Sequence, residues 1–446
     1  ERVKRIRFQE DDFIKIYGGK IMKIKKMLSL VLTASMLSAT MIGCGSSNAE
    51  GDGQASSNSV SGDPITLKVW APQEDQKAAE GYPNGVIPYL CEKFKEQHPE
   101  WNLKFEYGVM SEADAATSLM KDLDAGADVF MYANDQIPKL VEAGSIAKLG
   151  GKTVDDIKAN NSESMVGSVT YNEGVYGVPY TSNTYFMFYD KSKYTEDEVK
   201  NLDTMMAKDL GNGVYNFAYQ LGNSWYLAPF FYAAGGELFG PDGTDADAGT
   251  TFGDHPEATE YLVDLKSNPK FFSDPDGAAS VTKIKEGTLG AFVSGSWDAA
   301  AVKEALGDNF GVTKLPTITL NGKESQLLSF AGSKAVGVNP KCKNMEQAVA
   351  LAAYLGGEES QKAHFEVRGY APTWKSVADL ENVKSDPVVS AQITEINEAS
   401  KTQPMVKKMD DYWTPAESLG KSIHQGDVTK ANAAEATKQF GDSVNK

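Results

Sequence analysis

Apolar and polar residues follow one another, early in the folded chain, in a pattern that predicts a parallel α/β sheet. Residues 65–70 and 102–107 alternate with the period of strands, while 86–97 repeats its apolar positions at helical spacing. A second helix is predicted near 111–125, and the short apolar run 129–131 predicts a strand buried on both faces. The order strand, helix, strand, helix, strand is typical of a doubly wound sheet.

The third predicted strand runs straight into a helix, and this junction is the first candidate for a ligand site. Asn134 is a suitable N-cap, and Gly144 fits the C-terminal glycine of the helix. Tyr132 and Asp135 would then stand at the carboxyl end of the strand, where open α/β sheets bind ligands. An aromatic ring beside a carboxylate suits a sugar, which stacks on the ring and donates its hydroxyls to the carboxylate. The alternative is a buried strand with a capping loop and a half-exposed tyrosine.

Later segments also have helical patterns. The apolar run 348–354, the stretch 388–399 and the amphipathic, Ala-rich segment 428–444 predict helices. No short-period repeat of the solenoid type occurs. A chain of 446 residues with an ordinary apolar content predicts two domains or one large one.

The amino-terminal residues predict an export and anchoring signal. Residues 22–43 combine a basic start with an apolar run too short to span a membrane, and they end in a motif that resembles a bacterial lipobox. This implies cleavage before Cys44 and lipidation of its thiol; the alternative is an ordinary signal peptide followed by an incidental cysteine. Residues 1–21 are interpreted as upstream sequence translated before the true start. The small, polar segment 44–63 predicts a flexible, lipid-anchored linker.

The formal charge of −17 becomes −22 without residues 1–43, which carry nine Lys/Arg against four Asp/Glu. So acidic a protein is not expected to bind nucleic acid or an anionic membrane through its folded surface. Three cysteines exclude a disulfide scaffold and a Cys-rich metal site. Cys91 and Cys342 either pair or remain two buried thiols, and the second outcome is expected.

Neither a metal site nor a cofactor is expected. The four histidines are scattered, without His-Glu-x-x-His spacing, and no Gly-x-Ser-x-Gly elbow occurs. The loop 242–249 hints at calcium through Asp242, Asp245 and Asp247, but Gly249 stands where an EF-hand needs an oxygen ligand. A plain acidic turn is the expected alternative.

An enzymatic alternative depends on carboxylates. A glycosidase needs two of them flanking the scissile bond, about 5–10 Å apart. Asp135 with Glu74 or Asp75 would supply such a pair, and the residues by themselves leave this open.

Motifs spread over residues 64–446 occur in an order and spacing that resembles a known family. They include Asp128-Val129-Phe130, Asn134-Asp135-Gln136, Tyr176-Gly177-Val178-Pro179-Tyr180, Trp225-Tyr226, Gly295-Ser296-Trp297, Val336-Gly337-Val338-Asn339-Pro340 and Asp411-Tyr412-Trp413. The chain resembles the family 1 extracellular solute-binding lipoproteins of ABC sugar importers, and most of all the maltose/maltodextrin-binding proteins.

The resemblance implies a periplasmic-binding-protein-like fold, in which two doubly wound α/β lobes are joined by a three-segment hinge. It places lobe one at 64–180 plus 336–372 and lobe two at 184–331 plus 381–446. The chain would cross between the lobes near 180–184, 331–335 and 372–380.

The resemblance also implies a sugar site. Stacking rings are expected at Tyr132, Trp225, Trp297 and Trp413, with Tyr226 and Tyr412 as weaker candidates. Hydrogen bonds are expected from Asp135, Gln136, Asn183, Asn223, Glu74 and Asp75. The best-known members carry acidic residues where this chain has Asn183 and Asn223, and a basic one at Gln136, so the exact sugar is left open.

The implied function is capture of a maltose- or maltodextrin-type oligosaccharide by hinge closure, followed by delivery to the transmembrane subunits of an ABC permease. The protein would be a monomer outside the cytoplasm, anchored to the outer face of the cytoplasmic membrane by the lipid on Cys44, and not an enzyme. The alternatives are another sugar (a xylo-oligosaccharide, a galactoside or a polyol) or a secreted glycoside hydrolase.

Overall fold

Residues 63–275 and 277–446 are described by a computed structural model. The predicted leader, Cys44 and most of the predicted linker lie outside these residues. In the described ranges, no helix is both long enough and apolar enough to cross a membrane.

Strands are short and spread along the whole described chain. Their bounds are β1 Ile65–Ala71, β2 Leu103–Val109, β3 Val129–Ala133, β4 Thr170–Tyr171, β5 Gly174–Val175, β6 Val178–Asn183, β7 Phe186–Asp190, β8 Tyr215–Tyr219, β9 Phe271–Ser273, β10 Leu289–Ser294, β11 Phe310–Thr313, β12 Thr317–Leu320, β13 Lys323–Gln326, β14 Ser329–Val338 and β15 Ser400–Thr402.

Helices alternate with these strands. Their bounds are α1 Val86–Gln97, α2 Ala115–Leu119, α3 Ile137–Glu142, α4 Gly151–Asn160, α5 Glu163–Ser168, α6 Leu202–Ala207, α7 Ala228–Ala233, α8 Pro256–Ser267, α9 Ala278–Lys285, α10 Ala299–Leu306, α11 Met345–Leu355, α12 Glu358–Arg368, α13 Lys375–Ala378, α14 Glu381–Lys384, α15 Pro387–Glu398, α16 Asp410–Gln425 and α17 Ala433–Val444. The helices predicted at 348–354 and 388–399 correspond to α11 and α15.

The first large sheet has the strand order β15-β14-β3-β1-β2, with β6 also paired to β14. Strands β1, β2 and β3 are parallel, as the opening pattern predicts. Strand β14 runs antiparallel to both β3 and β6. We call this sheet, with the helices packed on it, lobe one.

The second large sheet has the strand order β11-β7-β10-β8-β9. Strands β8, β9 and β10 are parallel, whereas β7 is antiparallel to its neighbours β10 and β11. We call this sheet and its helices lobe two. Each lobe has its own apolar core: one surrounds β1 and β3, and the other surrounds β7 and β10. The lobe boundaries given above stay predictions.

Two predicted helix boundaries are wrong. The helix predicted at 111–125 is reduced to α2, because the carboxylate of Asp122 accepts hydrogen bonds from the N–H groups of Asp124 and Ala125 and turns the chain. Asn134 is not an N-cap: its side-chain oxygen accepts from the N–H of Ser333 on β14, at 2.8 Å. Gly144 does follow α3, with a φ of +62°.

Cys91 and Cys342 are free, buried thiols. In the acidic loop, Asp245 accepts hydrogen bonds from the N–H groups of Asp247 and Ala248 and so caps the turn that follows it. Among the described residues, no group of three or more His, Cys, Asp or Glu side chains is arranged to hold a metal ion.

Candidate ligand-binding cleft

A cavity of about 460 Å³ lies between the lobes, beyond the carboxyl ends of β2 and β3. This is the edge at which open α/β sheets bind ligands, and the volume is in the range of small-molecule sites. The cavity is lined by seven of the twelve predicted ligand residues: Asp135, Gln136, Asn183, Asn223, Trp225, Trp297 and Trp413. The structure therefore brings together residues that lie up to 278 positions apart in the sequence.

Three tryptophans give lobe two an aromatic surface. The rings of Trp225 and Trp297 have centroids 5.9 Å apart and are inclined by 33°. Trp413, on α16, lines the same cavity. All three side chains are only partly buried, so ring surface is available for stacking.

Local hydrogen bonds fix the backbone of Trp225. It lies in a 3-10 turn, Ser224–Tyr226, and its N–H donates to the side-chain oxygen of Asn223 at 3.0 Å. The hydroxyl of Tyr185 donates to its carbonyl at 2.9 Å. Asn223 is therefore both a cavity residue and the cap that positions Trp225.

Trp297 depends on a glycine. Its ring folds back against Gly295, where an added Cβ would overlap it. The turn is completed by Ser294, whose hydroxyl donates to the carboxylate of Asp298 at 2.6 Å. The sequence Ser294-Gly295-Ser296-Trp297 thus encodes the orientation of the ring.

Asp135 lies on the lobe one side, in the 3-10 turn that follows β3. Burial raises its pKa to about 7, and the nearby charge of Asp410 acts in the same direction. Hydrogen bonds from backbone N–H and from Gln403, with the charge of Lys139, oppose the shift. The carboxyl group consequently changes its protonation near neutral pH, between a form that donates and one that only accepts.

Gln136 lines the cavity, but its side-chain amide is hydrogen-bonded to backbone groups of the protein. Its Nε2 donates to the carbonyls of Glu112 and Ala113, at 2.6 and 3.1 Å, and its Oε1 accepts from the N–H of Ala116 at 2.8 Å. Both amide hydrogens are used, so Gln136 holds the loop after β2 in place. Asn183, at the end of β6, makes no side-chain hydrogen bond within the described ranges and is available to a ligand.

A buried ion pair at the base of the cavity was not predicted from the sequence. Lys334 Nζ lies 2.9 Å from Glu112 Oε1, and both side chains are less than a tenth exposed. The hydroxyl of Tyr180 donates to the same oxygen at 2.9 Å. The ammonium group also lies 5.4 Å from the ring centroid of Trp297, within range of a cation–π contact that joins the lobes.

A sequence signal existed for only one partner of this pair. Glu112 follows a predicted strand at its carboxyl end, as Asp135 does, and the same rule would have identified it. Lys334 stands on β14 where the register shifts between it and Ala335. Such a bulge redirects a side chain in a way that the sequence pattern does not show.

Three predicted stacking residues do not line the cavity. Tyr132 is fully buried in lobe one, where its hydroxyl donates to the carbonyl of Tyr176 at 3.1 Å. Tyr226 and Tyr412 are buried in lobe two, and Tyr412 donates to the carbonyl of Ser224. The structure places these three tyrosines in the apolar cores and not in the cavity lining, and their contact with a sugar stays a prediction.

Asp75 and Glu74 also lie outside the lining of the cavity, and a ligand contact by either one stays a prediction. Asp75 is fully buried, 3.2 Å from His364 Nε2 and 3.3 Å from Arg368 Nε. Burial opposes its ionisation, but these two partners hold the pKa of Asp75 below its usual range. Glu74 lies 3.9 Å from Arg368, so the two carboxylates belong to an ion cluster inside lobe one.

Comparison with known proteins identifies the class to which this architecture belongs. Residues 89–391 match the family described as bacterial extracellular solute-binding protein. The chain belongs to this family. The resemblance inferred from the motifs and the predicted fold class, two doubly wound lobes of the periplasmic-binding-protein type, are thereby confirmed.

Similar proteins extend over most of this solute-binding protein. One protein solved with acarbose is 44% identical, with a TM-score of 0.81, and the match covers 85% of this chain and 98% of that one. The galactooligosaccharide-binding protein of Bacillus subtilis (strain 168) is 26% identical, over 95% of this chain and 97% of the relative. A maltooligosaccharide ABC transporter solute-binding lipoprotein of Streptococcus pneumoniae (strain ATCC BAA-255 / R6) is 27% identical, over 90% and 92%.

Proposed function

We propose that this protein captures a maltodextrin-type oligosaccharide in the cleft between its lobes and delivers it to an ABC permease. One observation carries the proposal: the paired rings of Trp225 and Trp297 share a cavity with Asp135 and Glu112. A pyranose has an apolar face that stacks on an indole and a rim of hydroxyls that donate to carboxylates.

The arrangement is sufficient for a useful affinity. A micromolar Kd corresponds to about −8 kcal/mol. Three stacked rings supply roughly 1 kcal/mol each beyond the burial of their area. Hydrogen bonds to charged groups add about 1.5–3 kcal/mol apiece in a site that excludes water. The entropy lost on ordering the ligand offsets part of this favourable free energy, so micromolar rather than nanomolar binding is expected.

The relatives support an α-glucan and suggest one alternative. A maltooligosaccharide-binding relative and a protein solved with acarbose favour a maltodextrin. The galactooligosaccharide-binding relative, which matches 95% of this chain, favours a galactooligosaccharide as the second candidate.

Closure and delivery complete the proposed cycle. The ligand touches both lobes, so binding favours the closed arrangement, and a permease that recognises this form receives only loaded protein. We infer that the lipid on Cys44 tethers the monomer to the outer face of the membrane. We also infer that the protein binds its sugar without hydrolysing it, since its relatives are solute-binding proteins.

A thermal-shift screen tests the proposal. Maltose, maltotriose, maltotetraose, acarbose, galactooligosaccharides, xylo-oligosaccharides and polyols are each added in excess, and hits are measured by calorimetry. A ligand at 100 times its Kd stabilises the folded state by about 2.7 kcal/mol, which shifts the unfolding temperature by several degrees. A shift with the maltodextrins is expected. A shift with another class alone contradicts the maltodextrin assignment, and release of reducing ends from maltodextrin contradicts the non-enzymatic one.

A further inference from the structure

Gln403 lies between the two sides of the cleft, and none of the sequence motifs includes it. It follows β15, and its backbone N–H donates to the carbonyl of Ala331 on β14 at 2.8 Å. Its side chain lines the cavity, yet Gln403 is only 4% exposed. A buried primary amide is costly unless its hydrogen bonds are made, so its partners are fixed features of the site.

One partner is the tryptophan that forms part of the aromatic surface of lobe two. The indole N–H of Trp225 donates to Gln403 Oε1 at 2.9 Å. An indole nitrogen donates and does not accept, so the amide oxygen must point towards Trp225. The backbone of Trp225 is held by its hydrogen bonds with the side chains of Asn223 and Tyr185. The bond to Gln403 instead fixes the plane of the indole ring.

The other partner is the titrating carboxylate of lobe one. Because the amide oxygen faces Trp225, the amide nitrogen is left to donate into the cavity that Asp135 also lines, and Gln403 acts there as a donor that lowers the pKa of Asp135. The other charges that act on Asp135 come from Asp410, on α16, and Lys139, on α3. Glu112 and Lys334 carry further charges at the base of the same cavity.

We propose that Gln403 is a positioning residue for sugar binding, which couples the ring of Trp225 to the carboxylate of Asp135 through one amide of fixed orientation. This role rests on the proposed function. It requires a group that accepts on one side and donates on the other, and glutamine meets this requirement without adding a charge. Glutamate does not, because both of its oxygens accept when it is ionised.

The substitution Gln403→Glu therefore tests the donor side. The new carboxylate can still accept from Trp225, but it faces Asp135, and two neighbouring carboxylates cannot both ionise without a large penalty. At low pH one shared proton restores the bond. Gln403→Met keeps the approximate volume but neither bond. Gln425→Glu is the matched control, since it adds the same charge at the exposed end of α16, roughly 22 Å along the helix from Asp410.

The experiment measures the Kd of maltotriose by calorimetry at pH 5.5 and pH 8 for each intact protein. For Gln403→Glu we expect a Kd about tenfold or more above that of the wild type at pH 8, falling to within about threefold at pH 5.5. Gln403→Met should weaken binding by a similar factor at both pH values. The role of Gln403 is overturned if the Kd of Gln403→Glu equals that of the wild type at pH 8, or if it exceeds the wild-type Kd by the same factor at both pH values.

A second measurement holds even where Gln403→Glu folds poorly. Trp225→Phe removes the indole N–H but leaves the contact of Gln403 with Asp135, so Gln403→Met should raise the Kd of that variant by a clearly smaller factor than it raises the Kd of the wild type. Fully additive losses overturn the coupling. Failure of the wild type and Gln425→Glu to bind any oligosaccharide contradicts the proposed function instead, and with it the role that rests on it.

Discussion

The ring of Trp297 lies against the Cα of Gly295, so closely that even a methyl group at position 295 would overlap it. The backbone of Gly295 has a φ of −108° and a ψ of −173°, which an alanine adopts without strain. The glycine is therefore required by the ring and not by the turn. A substitution at position 295 changes the cleft by displacing the ring of Trp297.

Gly295→Ala should displace the Trp297 ring and raise the Kd of the oligosaccharide by about tenfold or more, because a stacked ring out of register loses most of its contact. Calorimetry measures the effect. Gly167→Ala is the control, since a Cβ at that exposed position meets open space. Equal affinity of the two variants would show that the ring of Trp297 does not contact the ligand.

Tyr132→Phe separates the buried tyrosine from the ligand site. The variant loses the hydrogen bond to the carbonyl of Tyr176, which costs about 1–2 kcal/mol and lowers the unfolding temperature by a few degrees. Its sugar affinity should be unchanged. A weakened affinity without loss of stability would restore Tyr132 to the ligand residues.

The fold was largely predictable from the sequence, and the cleft only in part. Period-two runs and helical spacing located β1, α1, β3 and α15, since these depend on local pattern. Trp225, Trp297 and Trp413 were found because each stands in a polar context. Tyr132 lies in the core instead of the cavity lining, because β3 is buried on both faces along its whole length, and the apolar run 129–131 does not show that this burial extends to residue 132.

Other features depend on contacts between distant segments. Lys334 and Glu112 are 222 positions apart, and Gln403 and Trp225 are 178 apart. Neither pairing has a local signature, because a signal at Glu112 or Trp225 alone does not indicate which distant residue will be its partner. Long-range pairs of this kind become visible only when the two sheets are in place.

Asp135→Asn should change how stability depends on pH. The pKa of Asp135 is raised to about 7, so its contribution to stability is complete below the usual value of 3.8 and is lost as the pH rises through 7. The neutral amide avoids this loss. We expect the variant to be more stable than the wild type at pH 8.5, by roughly 1–2 kcal/mol because the open cavity screens the carboxylate.

Unfolding by urea at pH 8.5 and pH 4 checks this, with Asp411→Asn, an exposed carboxylate on the same helix as Asp410, as the control. The advantage of Asp135→Asn should be absent at pH 4. An advantage of equal size at both pH values, or none at pH 8.5, would show that the carboxyl group titrates normally.

A similar dependence of stability on pH is expected at Glu395, which lies away from the cavity. It is fully buried on α15, accepting from the N–H of Leu315 at 2.7 Å and from the hydroxyl of Ser329 at 2.6 Å. Burial raises its pKa to about 8, so its favourable contribution is lost as the pH rises from 4.5 through 8. Ser329 also hydrogen-bonds Thr184, which leads from β6 into β7, so this network joins segments of both lobes.

Glu395→Gln reproduces the neutral acid: its amide oxygen accepts from the N–H of Leu315 and its amide nitrogen donates to Ser329, whose hydroxyl then turns towards the carbonyl of Ala399, 3.4 Å away. It should exceed the wild type in stability at pH 9 by about 1–3 kcal/mol and equal it at pH 5. Urea unfolding at the two pH values is the measurement. A variant less stable than the wild type at pH 9 would mean that the ionised carboxylate is the form that the fold requires.

Trp297→Ala gives the most direct test of the claim that an oligosaccharide binds between these lobes. Its side chain is partly exposed, so truncation should leave the unfolding temperature within about 2 °C while removing roughly 2 kcal/mol of binding. Trp101→Phe, in a stacked pair with His98 outside the cavity, serves as the control. In calorimetric titrations with maltotriose, we predict a micromolar Kd for the wild type and the control, and one about 30-fold weaker for Trp297→Ala. An unchanged Kd in Trp297→Ala would contradict the account.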